Sequence, residues 1–176
     1  MYKCKPERSV AQTVLLMAVS VLLTGGVFAL SAVWKENAGL IRFIGFFCLA
    51  LCIYVIYRFT LTEMEYTLCD GYFTVTRIVG RKRTDVAVLD LAESVALVTR
   101  EEYRSGGLNK GLSAVFNYSQ NLGGRHWVYV FTFQDKRGSV EFEPNDAFAA
   151  IFQVEIEKAK NRTSGGGDPD GEPAVL

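Results

Sequence analysis

The chain has 176 residues, of which 49% are hydrophobic, and its 19 basic residues balance its 19 acidic residues. That length is enough for one domain of about 100 residues together with an additional segment. Zero net charge excludes the chain-wide positive field with which nucleic-acid-binding proteins attract their ligand.

Two apolar segments occupy the first third of the chain. As α-helices, residues 10–34 and 39–59 would extend roughly 37 and 31 Å, against about 30 Å for the hydrocarbon core of a bilayer. The short external loop 35–38 between them predicts an antiparallel transmembrane hairpin. Arg42 and Arg58 lie near the two ends of the second segment, where we expect them to snorkel to the headgroups. A cleaved signal peptide is disfavoured because the first apolar segment is too long for one.

The distribution of basic residues predicts the orientation of this hairpin. Residues 1–9 carry Lys3, Lys5 and Arg8, the loop carries Lys35 alone, and Arg58 begins a further group of basic residues. The positive-inside rule therefore predicts a multi-pass protein of the cell membrane with both termini cytoplasmic. The reducing cytoplasm suits four cysteines that form no C-x-x-C pair and no secreted disulfide framework: Cys4, Cys48, Cys52 and Cys69.

From residue 60 onward the apolar residues alternate with a period of two, which is typical of β-strands. Cys69-Asp70-Gly71 is typical of a tight hairpin turn, and residues 101–112 are polar and glycine-rich, which indicates a loop. Residues 127–133 are apolar on both faces, so we expect them to lie centrally in a sheet. The seven predicted strands are Glu65–Leu68, Tyr72–Val79, Thr84–Leu91, Ser94–Thr99, Ala114–Tyr118, Trp127–Phe133 and Ser139–Phe142.

The period changes to that of a helix after Pro144, which ends the sheet. Asn145 or Asp146 can cap an amphipathic helix over residues 147–160. Its apolar stripe requires a partner surface, and the sheet is the nearest one. Residues 161–176 contain glycine, proline and acidic residues with little to pack, which predicts a disordered tail.

Seven antiparallel strands closed by one C-terminal helix resemble the pleckstrin-homology (PH) superfold. The resemblance is carried by "YTLCDGYFTVTRIVGRKRTDVAVLDLAESVALV" and by "VEFEPNDAFAAIFQ", residues 66–98 and 140–153. The chain looks like the bacterial PH-like proteins in which a helical hairpin precedes the domain. The expected fold is therefore an α+β membrane protein: a transmembrane α-helical hairpin followed, over residues 60–160, by a seven-stranded antiparallel PH-like barrel with a C-terminal helix.

PH-like domains are mostly adaptors that bind lipid headgroups, peptides or proteins, so the resemblance implies a non-catalytic module. Phosphoinositide-binding members place basic residues at the first hairpin turn, whereas the corresponding turn here holds Asp70 and no base. The basic cluster lies at the second turn. Arg81, Lys82 and Arg83 are candidates for contact with anionic lipid, or they form a solvated turn that protects a sheet edge.

The sequence singles out no catalytic, cofactor-binding or metal-ligating residue. His126 is the only histidine, and one histidine cannot supply the clustered ligands of a zinc site. No serine or carboxylate is marked as its catalytic partner, so we expect a strand-end surface or packing role. The glycine-rich "GGLNKG" lacks the spacing of a phosphate-binding P-loop.

The sequence thus predicts a membrane-anchored binding or scaffold module at the cytoplasmic face that uses no cofactor. The bilayer and a membrane or cytoplasmic protein are its expected partners, self-association is left open, and nucleic acid is not expected. A segment of that partner protein would bind at the loop 101–112 or along an exposed strand edge. The alternative is an accessory subunit of a transporter or envelope complex that acts through the hairpin.

Overall fold

The N-terminal third of the chain is a pair of antiparallel helices preceded by a short strand. The computed structural model describes residues 1–165, beginning with β1 (Tyr2–Cys4). Helix α1 (Val10–Val33) is capped by the Ser9 side chain, and a single 3-10 turn leads from it to α2 (Ala38–Ile56). One turn of π-helix, Tyr57–Leu61, then connects α2 to the sheets. Helices therefore occupy both segments that were predicted to be helical.

Both helices expose most of their apolar surface. They are long and apolar enough to cross a membrane, and in their most apolar stretches 0% and 11% of the residues are buried. The two helices approach closely at Gly45, where an added Cβ would lie 3.2 Å from the Phe28 ring. A small residue at this position lets the two helix backbones come close together. Membrane insertion itself stays a prediction.

Strand β1 and seven further strands build two four-stranded sheets. The further elements are β2 (Thr62–Cys69), β3 (Tyr72–Val79), β4 (Lys82–Asp90), β5 (Ser94–Thr99), α3 (Arg100–Ser105), β6 (Leu112–Asn117), β7 (Trp127–Phe133), β8 (Lys136–Phe142) and α4 (Asp146–Gly165). The first sheet has the order β1-β2-β3-β4 and the second the order β5-β7-β8-β6, so that β7 is central as predicted.

The predicted seven-stranded antiparallel barrel is wrong in its details, although the α+β class is confirmed. The described residues form two separate sheets rather than a closed barrel. They contain eight strands instead of seven because Tyr2–Cys4 adds an edge strand to β2. Strand β6 runs parallel to β8. The alternation of apolar residues along β6 does not indicate the direction of the neighbouring strand, so the sequence could not predict this. The predicted loop 101–112 begins with α3, whose capping box joins Thr99 and Glu102.

The core lies between the sheets and α4 and is mostly aromatic. Phe73, Tyr129, Phe142 and Phe152 are almost fully buried, and the Phe73 and Phe152 ring centroids are 4.7 Å apart. Helix α4 begins where the Asn145 side chain accepts a hydrogen bond from the Phe148 amide at 2.8 Å, as the sequence predicted. The helix continues to Gly165, beyond the predicted end at residue 160, and the rest of the predicted disordered tail lies outside the described residues.

Two adjacent side chains fasten both ends of the helical hairpin to the domain. Gln120 accepts a hydrogen bond from the Met64 amide at 2.9 Å and donates one to the Thr62 carbonyl at 2.8 Å. Asn121 donates to the Glu7 carbonyl at 2.9 Å and accepts from the Ser9 amide at 3.1 Å. We refer to residues 119–122 as the clasp. Because it holds the chain before α1 and after α2, it fixes the domain against the base of the hairpin.

The clasp also contacts the helices themselves. The Leu122 amide donates a hydrogen bond to Gln12 Oε1 on α1 at 2.8 Å. The Arg58 guanidinium, which was expected to snorkel to the headgroups, donates to the carbonyls of Asn117 and Ser119 at 3.1 and 3.2 Å. The charge at the end of the second apolar segment is therefore directed at the domain.

Ion pairs hold the N-terminal strand and the residues after it to β2. Glu63 lies 2.7 Å from Lys5 and 3.3 Å from Arg8. The hydrogen bond from Lys5 lowers the pKa of the Glu63 carboxyl, and the two positive charges add to that effect. Glu65 pairs in the same way with Lys3 at 3.4 Å and with Arg83.

Candidate functional site

The predicted basic cluster lies at the turn between β3 and β4. Arg81 and Lys82 are exposed, and Gly80 adopts a positive φ of 59° that suits the tight turn. Arg83 is bonded to Glu65, which leaves two of the three side chains unpaired among the described residues. Contact of this turn with anionic lipid stays a prediction.

A different surface contains a cavity of about 810 Å³, and more polar side chains converge on it than on the basic turn. It lies between the start of α3 and the loop that precedes β7. That volume is in the range that accommodates a small molecule or a headgroup. The lining includes three arginines, the only histidine and a tryptophan: Arg100, Arg104, Arg125, His126 and Trp127.

Local hydrogen bonds bring the two walls of this pocket together. The Thr99 amide and hydroxyl both donate to the Glu102 carboxylate at 2.9 Å, which starts α3 and lowers the pKa of that carboxyl. Thr99 is the register partner of Trp127 across the β5–β7 ladder. The Arg100 amide then donates to the His126 carbonyl at 3.0 Å. The start of α3 is therefore held directly against the start of β7.

His126 is 5% exposed and lies against a carboxylate on β8. Its Nδ1 is 2.9 Å from Glu141 Oε1, and Arg100 Nε is 3.3 Å from the same oxygen. His126 and Glu141 are close enough to form an ion pair, but their atoms are not aligned for a hydrogen bond. Neither ring nitrogen of His126 has a hydrogen-bond partner within residues 1–165. Trp127 Nε1 is likewise buried with no partner in the described part of the chain.

The arginines of the pocket differ in their pairing. Arg125 lies 2.8 Å from Asp146 at the start of α4, although both side chains are largely exposed. Arg104 is exposed on α3 and has no ion pair or hydrogen bond to any other described residue. Glu101 also lies at the pocket, exposed at its rim. The pocket therefore contains one unpaired guanidinium and two side chains, His126 and Trp127, whose buried ring nitrogens make no hydrogen bond among the described residues. The buried Glu141 Oε1 beside them makes none either.

The sequence identified only part of this site. His126 was expected to have a surface or packing role at the end of a strand, and the structure places it in the pocket wall beside Glu141. The three arginines were missed. The T-x-x-E capping pattern at residues 99–102 would have indicated a helix carrying Arg100 and Arg104 on one face. Within residues 1–165, no group of three or more His, Cys, Asp or Glu side chains is placed to hold a metal ion.

Comparison with known proteins gives one result. Neither the curated proteins nor the solved structures contain a match. Among protein families, the family described as "Bacterial PH-like domain (DUF6106)" matches residues 5–159. The match includes the helical hairpin, the clasp, both sheets apart from β1, and most of α4, and it covers well over half of the chain. The chain therefore belongs to the bacterial PH-like domain family DUF6106.

Proposed function

We propose that this protein is a membrane-anchored, non-catalytic binding or scaffold module whose PH-like domain lies at the cytoplasmic face. Membership of the PH-like family supports the binding role. The unusual amount of exposed apolar surface on α1 and α2 supports the anchoring role, because such surface is unstable in water and is covered by lipid acyl chains.

The pairing of β1 with β2 is the observation that carries this proposal. Residue Tyr2 is in register with Leu68, and Cys4 with Tyr66. β1 precedes α1 and β2 follows α2, so the chain leaves the first sheet, passes through two helices and returns to the same sheet. A hairpin with both ends on one side of a bilayer satisfies that geometry. The basic residues around those ends support the cytoplasm as that side.

The proposed partner is an extended segment of a membrane or cytoplasmic protein. β6 is an edge strand of the second sheet, and its Val115 and Phe116 side chains are exposed. An edge strand offers unpaired backbone groups to an added strand. Anchoring would raise the effective concentration of membrane partners to roughly millimolar.

Topology reporters test the anchoring. Fusion of green fluorescent protein to the C-terminus should give fluorescent cells, and fusion of alkaline phosphatase at the same place should be inactive. The protein should also stay in the membrane pellet after washing with alkaline carbonate. Active phosphatase at the C-terminus, or release by carbonate, would contradict the proposal.

A second candidate function is favoured by a groove between the helices. This groove of about 570 Å³ is lined mainly by apolar side chains, with the small residues Thr24, Gly25 and Cys52 among them, which suits close approach of another helix. In this alternative the protein is an accessory subunit of a transporter or envelope complex. Proximity labelling from the C-terminus distinguishes the two: after replacement of the hairpin by an unrelated one, labelled partners are retained if the domain recognises them and lost if the hairpin does.

A further inference from the structure

We propose that the pocket between α3 and the loop before β7 binds a phosphate oxyanion. This site is distinct from the basic turn at residues 81–83 and from the exposed β6 edge. The inference rests on the kinds of polar atom that the pocket presents, on their burial, and on the position of the pocket relative to the base of the hairpin.

The buried polar atoms in the pocket wall require an acceptor. Trp127 Nε1 is an N–H group that can only donate a hydrogen bond, and His126 carries at least one N–H. Trp127 Nε1 and His126 Nε2 are buried without a hydrogen-bond partner within residues 1–165, whereas His126 Nδ1 faces the buried Glu141 Oε1 at 2.9 Å. Unsatisfied buried donors are costly, and they are rare in folded proteins unless a ligand or water satisfies them. A bound oxyanion would supply an acceptor oxygen to Trp127 Nε1 and, when the ring proton is on Nε2, a second one to His126.

The charged groups of the pocket favour the same ligand. The guanidinium of Arg104 is unpaired among the described residues, and guanidinium groups bind phosphate and carboxylate oxygens in a bidentate manner. Two carboxylates oppose an anion. Glu141 lies within ion-pair distance of Arg100, at 3.3 Å, and Glu101 is exposed to solvent. With several donors converging, phosphate, which has more acceptor oxygens than a carboxylate, satisfies more of them.

The pocket lies close to the start of the membrane hairpin. Leu122 is hydrogen-bonded to Gln12 on α1, and Arg125 follows three residues later, which limits its Cα to about 11 Å from that of Leu122. The polar layer of each leaflet is roughly 5–7 Å thick. If the hairpin spans the bilayer as proposed above, the phosphate of an anionic lipid headgroup is within reach of the pocket. A soluble phosphate compound has the same chemistry, so the experiment has an arm for each source.

The soluble arm uses the full chain in detergent and does not depend on membrane topology. The protein contains two tryptophans, Trp34 and Trp127, so its indole N–H spectrum has two signals that a Trp34→Phe variant assigns. Inorganic phosphate is titrated at constant ionic strength. We expect the Trp127 signal to shift and saturate while the Trp34 signal stays in place. A Trp127 signal that does not move, or moves in parallel with Trp34, would overturn the proposal.

Matched arginine variants identify the site. Arg104→Gln removes a guanidinium that makes no described contact, so the fold should be retained, and phosphate affinity should fall about tenfold if one charge-assisted bond is lost. Arg81→Gln removes an exposed guanidinium from the basic turn at residues 81–83, outside the pocket, and should leave the phosphate affinity unchanged. Equal affinity of wild type and Arg104→Gln, or equal weakening by both variants, would show that the pocket is not the site.

The lipid arm uses the full chain in phosphatidylcholine nanodiscs with and without phosphatidic acid. A shift of the Trp127 signal on inclusion of phosphatidic acid alone would support the headgroup as the source. A shift that appears only after addition of inorganic phosphate would support a soluble compound. Absence of a shift in every arm would reject the phosphate site even if the topology reporters confirm the membrane anchor.

Discussion

Replacement of Asn121 by alanine should release the N-terminal segment from the domain. The Asn121 side chain holds the Ser9 amide and the Glu7 carbonyl, and it donates to both oxygens of Glu143 at 2.9 and 3.0 Å. Asn121 is 6% exposed, so water does not readily replace these bonds while the clasp is closed. The expected effect is local opening of the residues between β1 and α1, with the core intact.

The magnitude follows from the number and kind of bonds. Two neutral bonds contribute about 0.5–1.5 kcal/mol each, and the bond to a carboxylate contributes more, although Glu143 keeps its bond from the Asn121 backbone amide at 3.0 Å. We therefore expect the free energy of local opening to fall by about 2–3 kcal/mol. That change corresponds to amide exchange at Ser9 that is roughly 30- to 150-fold faster.

Hydrogen–deuterium exchange of the full chain in detergent measures this effect. Asn109→Ala is the control, because Asn109 is exposed and has no described side-chain partner. The control should exchange like the wild type at Ser9. Equal Ser9 exchange in Asn121→Ala and wild type would refute the inference that the clasp holds the segment. Faster exchange throughout the core would refute the inference that the effect is local.

Three further predictions concern the core, a tight packing site and pH. Phe152→Ala should lower the free energy of unfolding by about 3–5 kcal/mol, whereas the exposed Val154→Ala should change it by less than about 0.5 kcal/mol; thermal denaturation of the domain measures both. Gly138→Ala places a Cβ 2.6 Å from the Phe131 ring, so it should destabilise by about 1–3 kcal/mol in the same assay; an unchanged midpoint would contradict the packing. The lowered pKa of Glu63 stabilises the folded N-terminal segment fully above the ordinary carboxyl pKa of 4.5, and this stabilisation is lost as pH falls through the lower folded-state value. The protection of the backbone amides of Lys3, Lys5 and Arg8, corrected for the intrinsic pH dependence of exchange, should therefore fall on acidification in wild type and fall less in Glu63→Gln.

The elements that the sequence predicted well are those with a long or regular apolar pattern. Residues 127–133 are apolar on both faces and form the central strand β7. The apolar residues of α4 recur at helical spacing, and Asn145 caps the helix. The two apolar helices were evident from their length and their high content of apolar residues. In each case the pattern extends over enough residues for its period to be recognised.

The features that escaped prediction depend on partners distant in sequence. Tyr2–Cys4 is too short to show a period, and it becomes a strand only because Tyr66–Leu68 lies beside it. The parallel alignment of β6 with β8 depends on the path of the connection, and alternation has the same period in either direction. The pocket required residues 99–104 and 124–127 to meet across a sheet. Its chemistry was therefore visible only in three dimensions.

The position of β1 has a practical consequence for anyone who wishes to express the water-soluble part alone. A chain that starts at Thr60 lacks the strand that covers the edge of β2, and it also lacks the buried Cys4. The shortened chain should expose the unpaired backbone N–H and C=O groups of β2 at the sheet edge and aggregate. Because neighbouring clasp residues hold both Ser9 and Thr62, a short polar linker that joins those two residues directly should preserve the edge strand and yield a soluble protein.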